Sequence, residues 1–425
     1  MSSPSALSQE PIRSAVKHRG WTVTFAGTGI NLALGVLYTW SVISKGIPED
    51  WGWTETDKSL PYAIACLVFC LVMVPAGRMQ DKIGPRIVAT IGGILVGLGL
   101  ILASRTESPL GYILGFGILA GAGIGFGYAS ATPPAVKWFP AAKTGLIAGL
   151  VVSGFGLASV YSAPLATYLT HAFGLPTMVM IFGIGFLIVV VGLAQLLAPP
   201  PKGYIPPGTP AAKPGAAAPA KEDYTPGEML QTWQFYVLWF MYACGAGAGL
   251  MIISKLAMIA QDQAGLALGF VLVAVLAVGN GAGRIIAGML SDRIGRKVTL
   301  FLCFVLQAFS IVLLALTRQD TFLANPVVLA LLSALIGANY GANLALFPSL
   351  TKDYYGLKNF GVNYGLVFTS WGLGGFMLSL LAGRVYDQTQ AFTFAYYCSA
   401  GLLVAAAIVT FVVRPPVAKP QTAPA

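Results

Sequence analysis

The chain has 425 residues and a formal net charge of +10, and hydrophobic residues make up 56% of it against 9% for charged residues. A soluble domain carries about a quarter charged residues, so this composition excludes an ordinary water-soluble protein and predicts one that has lipid as its solvent. The five cysteines all lie within apolar stretches, which favours buried thiols and excludes a disulfide framework.

A helix needs about 20 apolar residues to cross the hydrocarbon core of a bilayer. Twelve stretches meet this requirement, and in chain order they cover residues 21–45, 59–77, 87–104, 110–133, 144–170, 175–198, 232–260, 266–288, 298–317, 326–350, 359–382 and 391–413. A basic run precedes the first stretch and no small-residue cleavage site follows it, so we expect this stretch to be a retained helix rather than a signal peptide.

The polar segment 199–231 is rich in proline, alanine and lysine, a composition that cannot build a core and is typical of a linker. It separates an N-terminal six-helix bundle, 1–198, from a C-terminal one, 232–413, and residues 414–425 form a tail. The sequence therefore predicts an all-α integral membrane protein of twelve transmembrane helices in two six-helix bundles.

The basic residues orient this bundle. Eighteen of the 25 lysines and arginines lie in segments on the side of the N-terminus, and five lie on the other side. Because short cytoplasmic segments carry the excess of Lys and Arg, we expect a multi-pass protein of the cell (inner) membrane with both termini and the linker in the cytoplasm. The positive charge is thus a topology signal, and a nucleic-acid partner is not expected.

The two predicted bundles repeat in sequence. Residues 77–86 read GRMQDKIGPR after the second stretch, and residues 288–297 read GMLSDRIGRK after the eighth, an offset of 211. A second match, between residues 145–157 and 361–373, has an offset of 216. Such a duplication is typical of parallel repeats related by an axis along the membrane normal, so the two bundles are expected to be pseudo-symmetric.

The repeated pattern Gly-x-x-x-Asp-(Arg/Lys)-x-Gly-x-(Arg/Lys) resembles the signature of the major facilitator superfamily. The resemblance implies the major facilitator fold, alternating access and a cytoplasmic gate formed by Gly77, Asp81 and Arg86 in one copy and by Gly288, Asp292 and Arg296 in the other. The alternative is a charged turn between helices with no gating role.

Arg284 lies inside the eighth stretch, about one turn from its cytoplasmic end. An arginine within the membrane costs about 2.5–3.5 kcal/mol on insertion scales and is normally kept for function. All fifteen acids lie in loops, tails or the ends of the stretches, so no resident carboxylate is expected beside it. A guanidinium binds a carboxylate in a bidentate manner, which favours an anionic substrate. The alternative is a gate residue that reaches a loop acid.

Two further groups of candidates follow from the repeat. Lys255 matches Lys45, so we expect it near the outer mouth, where it attracts anions, acts in gating, or extends to the interface. Aromatic residues stand at paired positions with offsets of 212 and 216, and on helices that the resemblance places along the pathway they are candidates to line a substrate site: Tyr128 with Tyr340, and Phe155 with Trp371. Simple packing is the alternative for each.

The chain further resembles bacterial members of the monocarboxylate transporter and oxalate/formate antiporter families, in the segments GVLYTW at 35–40, KWFP at 137–140, GAGR at 281–284 and LFPS at 346–349. By this resemblance Trp371 stands where the oxalate-carrying pattern has a second base, and Leu37 is apolar where a dicarboxylate favours a polar group. The resemblance therefore implies a small monocarboxylate of the lactate and pyruvate class, bound by Arg284 with Asn280.

Asn280 also departs from the animal-type pattern, which places an aspartate one turn before the arginine. Asparagine cannot titrate, so the proton carrier lies elsewhere or the substrate itself takes the proton. Proton symport by a monomer in lipid, with no cofactor or metal, is the expectation. An oxalate/formate-type antiporter and a non-transporting membrane sensor are the alternatives. An enzyme is not expected, because the only histidines are His18 and His171 and neither is central in a stretch.

Overall fold

The structure is a computed structural model that describes residues 10–140, 143–201, 204, 206, 223–267, 269–356 and 359–416. Most of the predicted linker 199–231 and residues 417–425 of the predicted tail lie outside the described residues.

Twelve helices are long and apolar enough to cross a membrane, and each overlaps one of the predicted stretches. In chain order they are α1 (Arg19–Lys45), α2 (Glu55–Ile83), α3 (Pro85–Ala103), α4 (Pro109–Lys137), α5 (Leu146–Phe173), α6 (Leu175–Ala194), α7 (Trp233–Ala264), α8 (Gly269–Ile294), α9 (Arg296–Ala315), α10 (Pro326–Tyr355), α11 (Phe360–Thr389) and α12 (Thr393–Val412). The predicted fold class, two six-helix halves in a membrane, is confirmed.

Several helices run beyond the apolar stretches, because the polar signature residues continue the helix. As α8 ends only at Ile294, Arg284 lies almost three turns before that end. The prediction that it lies about one turn from the end of the helix is therefore wrong. Two glycines end the repeated helices: Gly84 after α2 and Gly295 after α8 both have φ 91°, a conformation that other residues adopt only with strain.

The signature residues pair within each half. Asp81 lies 3.7 Å from Lys137 at the end of α4, and Arg296 pairs with Asp292 at 2.7 Å and with Asp353 at 3.5 Å. Arg86 is exposed, and a Cβ added to the glycines that begin the two copies, Gly77 and Gly288, would contact nothing within 4 Å. The role of this motif as a gate stays a prediction.

The halves contact each other through α2 with α11, α5 with α8, and the second part of α1 with α7. We call the side that carries residues 10 and 416 the terminal side and the other the opposite side. At the opposite end of α2, Asp387 of α11 accepts hydrogen bonds from the backbone N–H groups of Glu55 and Thr56 at 2.7 and 2.8 Å. Near the terminal ends of the helices, Lys137 pairs with Asp81 within one half and Arg296 pairs with Asp292 and Asp353 within the other. The hydrogen bonds of Asp387 with α2 therefore hold the halves together on the opposite side.

Candidate functional site

Close packing of α8 against α10 positions the central part of α8. A Cβ on Gly279 would lie 2.1 Å from the carbonyl oxygen of Ala334, and one on Gly283 would lie 2.1 Å from that of Ala338. Gly341 of α10 approaches the Asn280 carbonyl oxygen equally closely. Small residues at these positions let the two backbones touch. This contact occupies one face of α8 and turns the side chain of Arg284 toward the other half.

Arg284 uses only part of its hydrogen-bonding capacity. Its Nε donates to Asn280 Oδ1 at 3.1 Å and its Nη1 donates to the carbonyl oxygen of Val152 on α5 at 2.9 Å. Both side chains are buried, with 7% of Arg284 and 0% of Asn280 exposed. Arg284 Nη2 and Asn280 Nδ2 are buried without a hydrogen-bond partner. Since buried polar atoms are normally paired, these two donors mark a place for an acceptor.

A glycine makes room for the guanidinium between the halves. A Cβ on Gly156 of α5 would lie 3.3 Å from Nη2 of Arg284 and 3.4 Å from its Cζ. The Tyr128 phenol of α4 is an electrostatic and hydrogen-bonding neighbour of the same guanidinium. The free edge of Arg284 therefore faces a small space bounded by the N-terminal half.

A second polar group closes this space. The Tyr340 hydroxyl lies 2.6 Å from that of Tyr38, across the two halves, and accepts a hydrogen bond from the indole N–H of Trp371 at 2.9 Å. The three side chains hold three donor hydrogens and make two hydrogen bonds among themselves. One phenolic hydrogen is therefore left over, and like the Arg284 and Asn280 donors it suits a ligand that only accepts.

Aromatic rings form the rest of the wall. Phe155 packs edge-on against Tyr38 at 4.9 Å and against Tyr128 at 5.3 Å between ring centroids. Trp371 stacks on Phe368 at 5.1 Å and meets Phe69 of α2 at the same distance. Among the predicted wall residues Phe155, Tyr340 and Trp371 are buried and Tyr128 keeps partial exposure.

The structure thus brings together Arg284, Asn280, Tyr340, Trp371, Tyr128 and Phe155, and it places Leu37 in the buried 3₁₀ segment Gly35–Thr39 beside Tyr38. Sequence reasoning missed Tyr38, Phe69 and Phe368. A signal existed for two of them: Phe69 matches Asn280 by the 211 offset, and Phe368 is one helical turn before Trp371. Substrate binding by all these residues stays a prediction.

Lys255 of α7 is not an exposed base. It is 3% exposed and its Nζ lies 2.7 Å from a carboxylate oxygen of Glu55, the first residue of α2. This pairing across the halves was not predicted. It leaves Lys255 no accessible charge with which to attract anions in this conformation, and it fits the alternative in which Lys255 acts in gating.

The buried charges do not balance. In the described part of the chain the buried charged residues are Arg284, Lys255 and Glu55. Lys255 and Glu55 neutralise each other, and no carboxylate of the described residues forms an ion pair with Arg284. A buried charge without a counter-charge is unfavourable. One positive charge remains at the place where the unused donors lie, and a monoanion would balance it.

The sequence matches the profile of the Major Facilitator Superfamily over residues 20–278 and 238–425. The chain belongs to this superfamily. The resemblance inferred from the repeated signature is thereby confirmed, and the superfamily's twelve-helix architecture is the one described above.

Proteins with similar sequences include transporters. The chain is 30% identical to the oxalate:formate antiporter of Oxalobacter formigenes, over 79% of this chain and 77% of that protein. It is 29% identical to the MFS-type transporter YhjX of Escherichia coli, over 83% and 85%, and 24% identical to human monocarboxylate transporter 11, over 95% and 85%.

The fold is also similar to that of a solved structure, a bacterial homologue of the human lysosomal transporter Spinster in an inward-facing and occupied conformation. The TM-score is 0.65 at 16% identity, and the match covers 95% of this chain and 97% of that chain. At this identity the likeness concerns the fold alone.

Proposed function

We propose that the chain is a secondary active transporter of small monocarboxylates of the lactate and pyruvate class, working by proton symport with alternating access. The observation that carries this proposal is the pair of buried, unused donors on Arg284 and Asn280 beside an unbalanced positive charge. A carboxylate accepts at both oxygens and matches the guanidinium edge. The leftover phenolic hydrogen of the Tyr38 and Tyr340 pair then serves an oxygen on the second carbon.

The charge count supports a monoanion over a dianion. One uncompensated base, Arg284, balances one carboxylate, whereas Lys255 is already paired with Glu55 at 2.7 Å. A second carboxylate would meet Trp371 and the rings of Phe155 and Phe368, which offer apolar surface. Desolvating a second negative charge there without a partner is unfavourable. The tail is therefore small and uncharged.

The transport cycle rocks one half against the other around this site. Contacts of α2 with Asp387 and Lys255 hold the halves together on the opposite side, which supports a state that opens toward the terminal side. We propose that this side is cytoplasmic, because it carries the excess of basic residues. The protein then lies in the inner membrane as a monomer surrounded by lipid.

Counterflow in proteoliposomes tests the proposal. Liposomes preloaded with unlabelled L-lactate should take up labelled L-lactate, and external pyruvate should compete strongly while oxalate competes weakly. Arg284→Gln should abolish the uptake, whereas Arg318→Gln, at an exposed arginine in a loop on the opposite side, should leave it unchanged. Uptake by Arg284→Gln at the wild-type rate would refute the site.

A second candidate is an antiporter of the oxalate:formate type, which the 30% identity to the Oxalobacter formigenes protein favours. The same assay separates the two functions. Preloaded formate that drives uptake of labelled oxalate, with weak competition by lactate, would establish the antiporter and replace the monocarboxylate proposal.

A further inference from the structure

Glu55 is the buried acid of the described chain, at 8% exposure, and it lies where the halves meet on the opposite side. Its carboxylate binds Lys255 of the other half at 2.7 Å. Since Glu55 belongs to α2 and Lys255 to α7, any rocking motion that opens the opposite side separates these two charges. The ionised carboxylate of Glu55 is then partnered across the halves only in the closed state.

The other charged groups around Glu55 do not replace Lys255. Lys58 on the same helix lies 2.9 Å from the second carboxylate oxygen and is partly exposed to water. Asp387 of α11 is occupied by the N-terminus of α2. Tyr386 of α11 donates to Asp262 at 2.7 Å. Opening therefore removes the buried positive charge of Lys255 and leaves Glu55 with Lys58, which is partly exposed to water. The loss of the buried charge favours a neutral Glu55.

A row of polar side chains extends from Glu55 along α2 toward the substrate site. Ser59, Tyr62 and Cys66 follow at spacings of four, three and four residues, which places all four on one face of α2. Ser59 donates to the Glu55 carbonyl oxygen at 2.6 Å. The Tyr62 hydroxyl is buried and has no hydrogen-bond partner, and its ring is an electrostatic neighbour of Tyr38.

Tyr62 is thus the residue of this row that neighbours the substrate site. Tyr38 bonds to Tyr340, and both phenols are electrostatic neighbours of Arg284. An unpaired buried hydroxyl between an acid and a substrate site is suited to pass a proton, because a hydroxyl both donates and accepts. No other acid of the described residues is buried.

We propose that Glu55 is the proton-binding residue of transport, which rests on the proposed function. With the opposite side open, Glu55 takes a proton from water while the carboxylate binds Arg284. Closure brings Lys255 against Glu55, the Glu55 O–H bond breaks, and the proton passes by way of Tyr62 to the substrate carboxylate, where a new O–H bond forms. The neutral acid no longer pairs with Arg284 and leaves on the terminal side. One proton and one anion cross together.

Three variants in proteoliposomes test this assignment with labelled L-lactate. Glu55→Gln should lose the accumulation driven by an acid outside medium and the alkalinisation that accompanies lactate uptake, yet it should retain lactate exchange, which needs no net proton movement. The double variant Glu55→Gln with Lys255→Met should behave in the same way, and it removes both buried charges so that neither is left unpaired. Glu107→Gln is the matched control, because it makes the same change at an exposed loop acid on the opposite side and should keep accumulation.

The outcomes separate the two proposals. Accumulation and alkalinisation at wild-type levels in the double variant would overturn the assignment of Glu55 while leaving monocarboxylate transport in place. Loss of exchange together with accumulation in a correctly folded double variant would also overturn it, since Glu55 would then serve transport itself rather than the coupling. A wild-type protein that exchanges no monocarboxylate would refute the proposed function, and the assignment of Glu55 with it.

Discussion

The space beside Arg284 can be tested without changing its charge. In Gly156→Ala the new methyl carbon would lie 3.3 Å from Nη2 and 3.4 Å from Nε and Cζ of the guanidinium. These contacts are tighter than ordinary van der Waals contact, so the guanidinium must shift by a few tenths of an ångström. Because Nη1 and Nε are held by Val152 and Asn280, we expect the free nitrogen Nη2 to move most.

The expected loss of L-lactate binding follows from the hydrogen bond that Arg284 Nη2 would donate to the carboxylate. Loss of one hydrogen bond to a charged group costs about 1.5–3 kcal/mol. The methyl group displaces Nη2 without removing it, so we expect about half of that energy to be lost, which is a roughly four- to twelvefold weaker binding of L-lactate. Replacing a helical glycine by alanine also stabilises the helix by about 0.5–1 kcal/mol, so stability should not fall in parallel.

The assay is the KM of labelled L-lactate exchange together with the Tm of the purified protein. Gly185→Ala is the matched control, because a Cβ at Gly185 on α6 would meet nothing within 4 Å while the gain in helix stability is the same. Equal KM values for the two variants would refute the placement of the carboxylate at Nη2. A Gly156→Ala protein with a much lower Tm would show that the position serves packing instead.

Two other changes probe the contacts between the halves. Tyr340→Phe leaves two buried donors without an acceptor and should lower the stability by about 2–6 kcal/mol. Tyr38→Phe removes one hydrogen bond and should lower the stability by about 0.5–1.5 kcal/mol. Thermal unfolding in detergent measures both losses, and a larger loss for Tyr38→Phe contradicts the hydrogen-bond assignment. Asp387→Asn removes the negative charge from the N-terminus of α2, worth about 0.3–1 kcal/mol, and should speed the reaction of buried Cys66 with maleimide. Asp320→Asn, at an exposed loop acid on the same side, should leave the labelling rate unchanged. Equal labelling rates for the two variants would show that Asp387 does not help to hold the halves together.

Hydropathy predicted all twelve helices because each must hold its own backbone hydrogen bonds in lipid, which makes length and apolarity sufficient signals. The ends of the helices were less well predicted. In α8 the polar residues after 288 continue the helix to Ile294, so a count of apolar residues ended it too early. The 3₁₀ segment Gly35–Thr39 within α1 was not predicted either. It lies where Gly35 touches α5, since a Cβ there would be 2.5 Å from the carbonyl oxygen of Phe155.

The sequence predicts single residues of the candidate site, but it does not predict which residues contact each other across the halves. An arginine in a span with no acid nearby in sequence could be identified by elimination. The contact between Glu55 and Lys255 could not, because the internal repeat relates Lys255 to Lys45 and so gives its depth but not its neighbour in the other half. Tyr38 was missed for the same reason, since its partner Tyr340 is 302 residues away.

Two independent counts lead to the same ligand. The charge count leaves one positive charge, on Arg284, and unused donors lie beside it on Arg284, Asn280 and the Tyr38 and Tyr340 pair. These groups belong to both halves, because Tyr38 lies on α1 whereas the others lie on α8 and α10. A small anion bound there would therefore hold the halves together at their centre, while the pair of Glu55 and Lys255 holds them together at one end. Opening that end without ligand leaves Arg284 unbalanced and separates Glu55 from its buried partner, Lys255. A bound anion balances Arg284 and a bound proton neutralises Glu55, which is a physical reason for the two to move together.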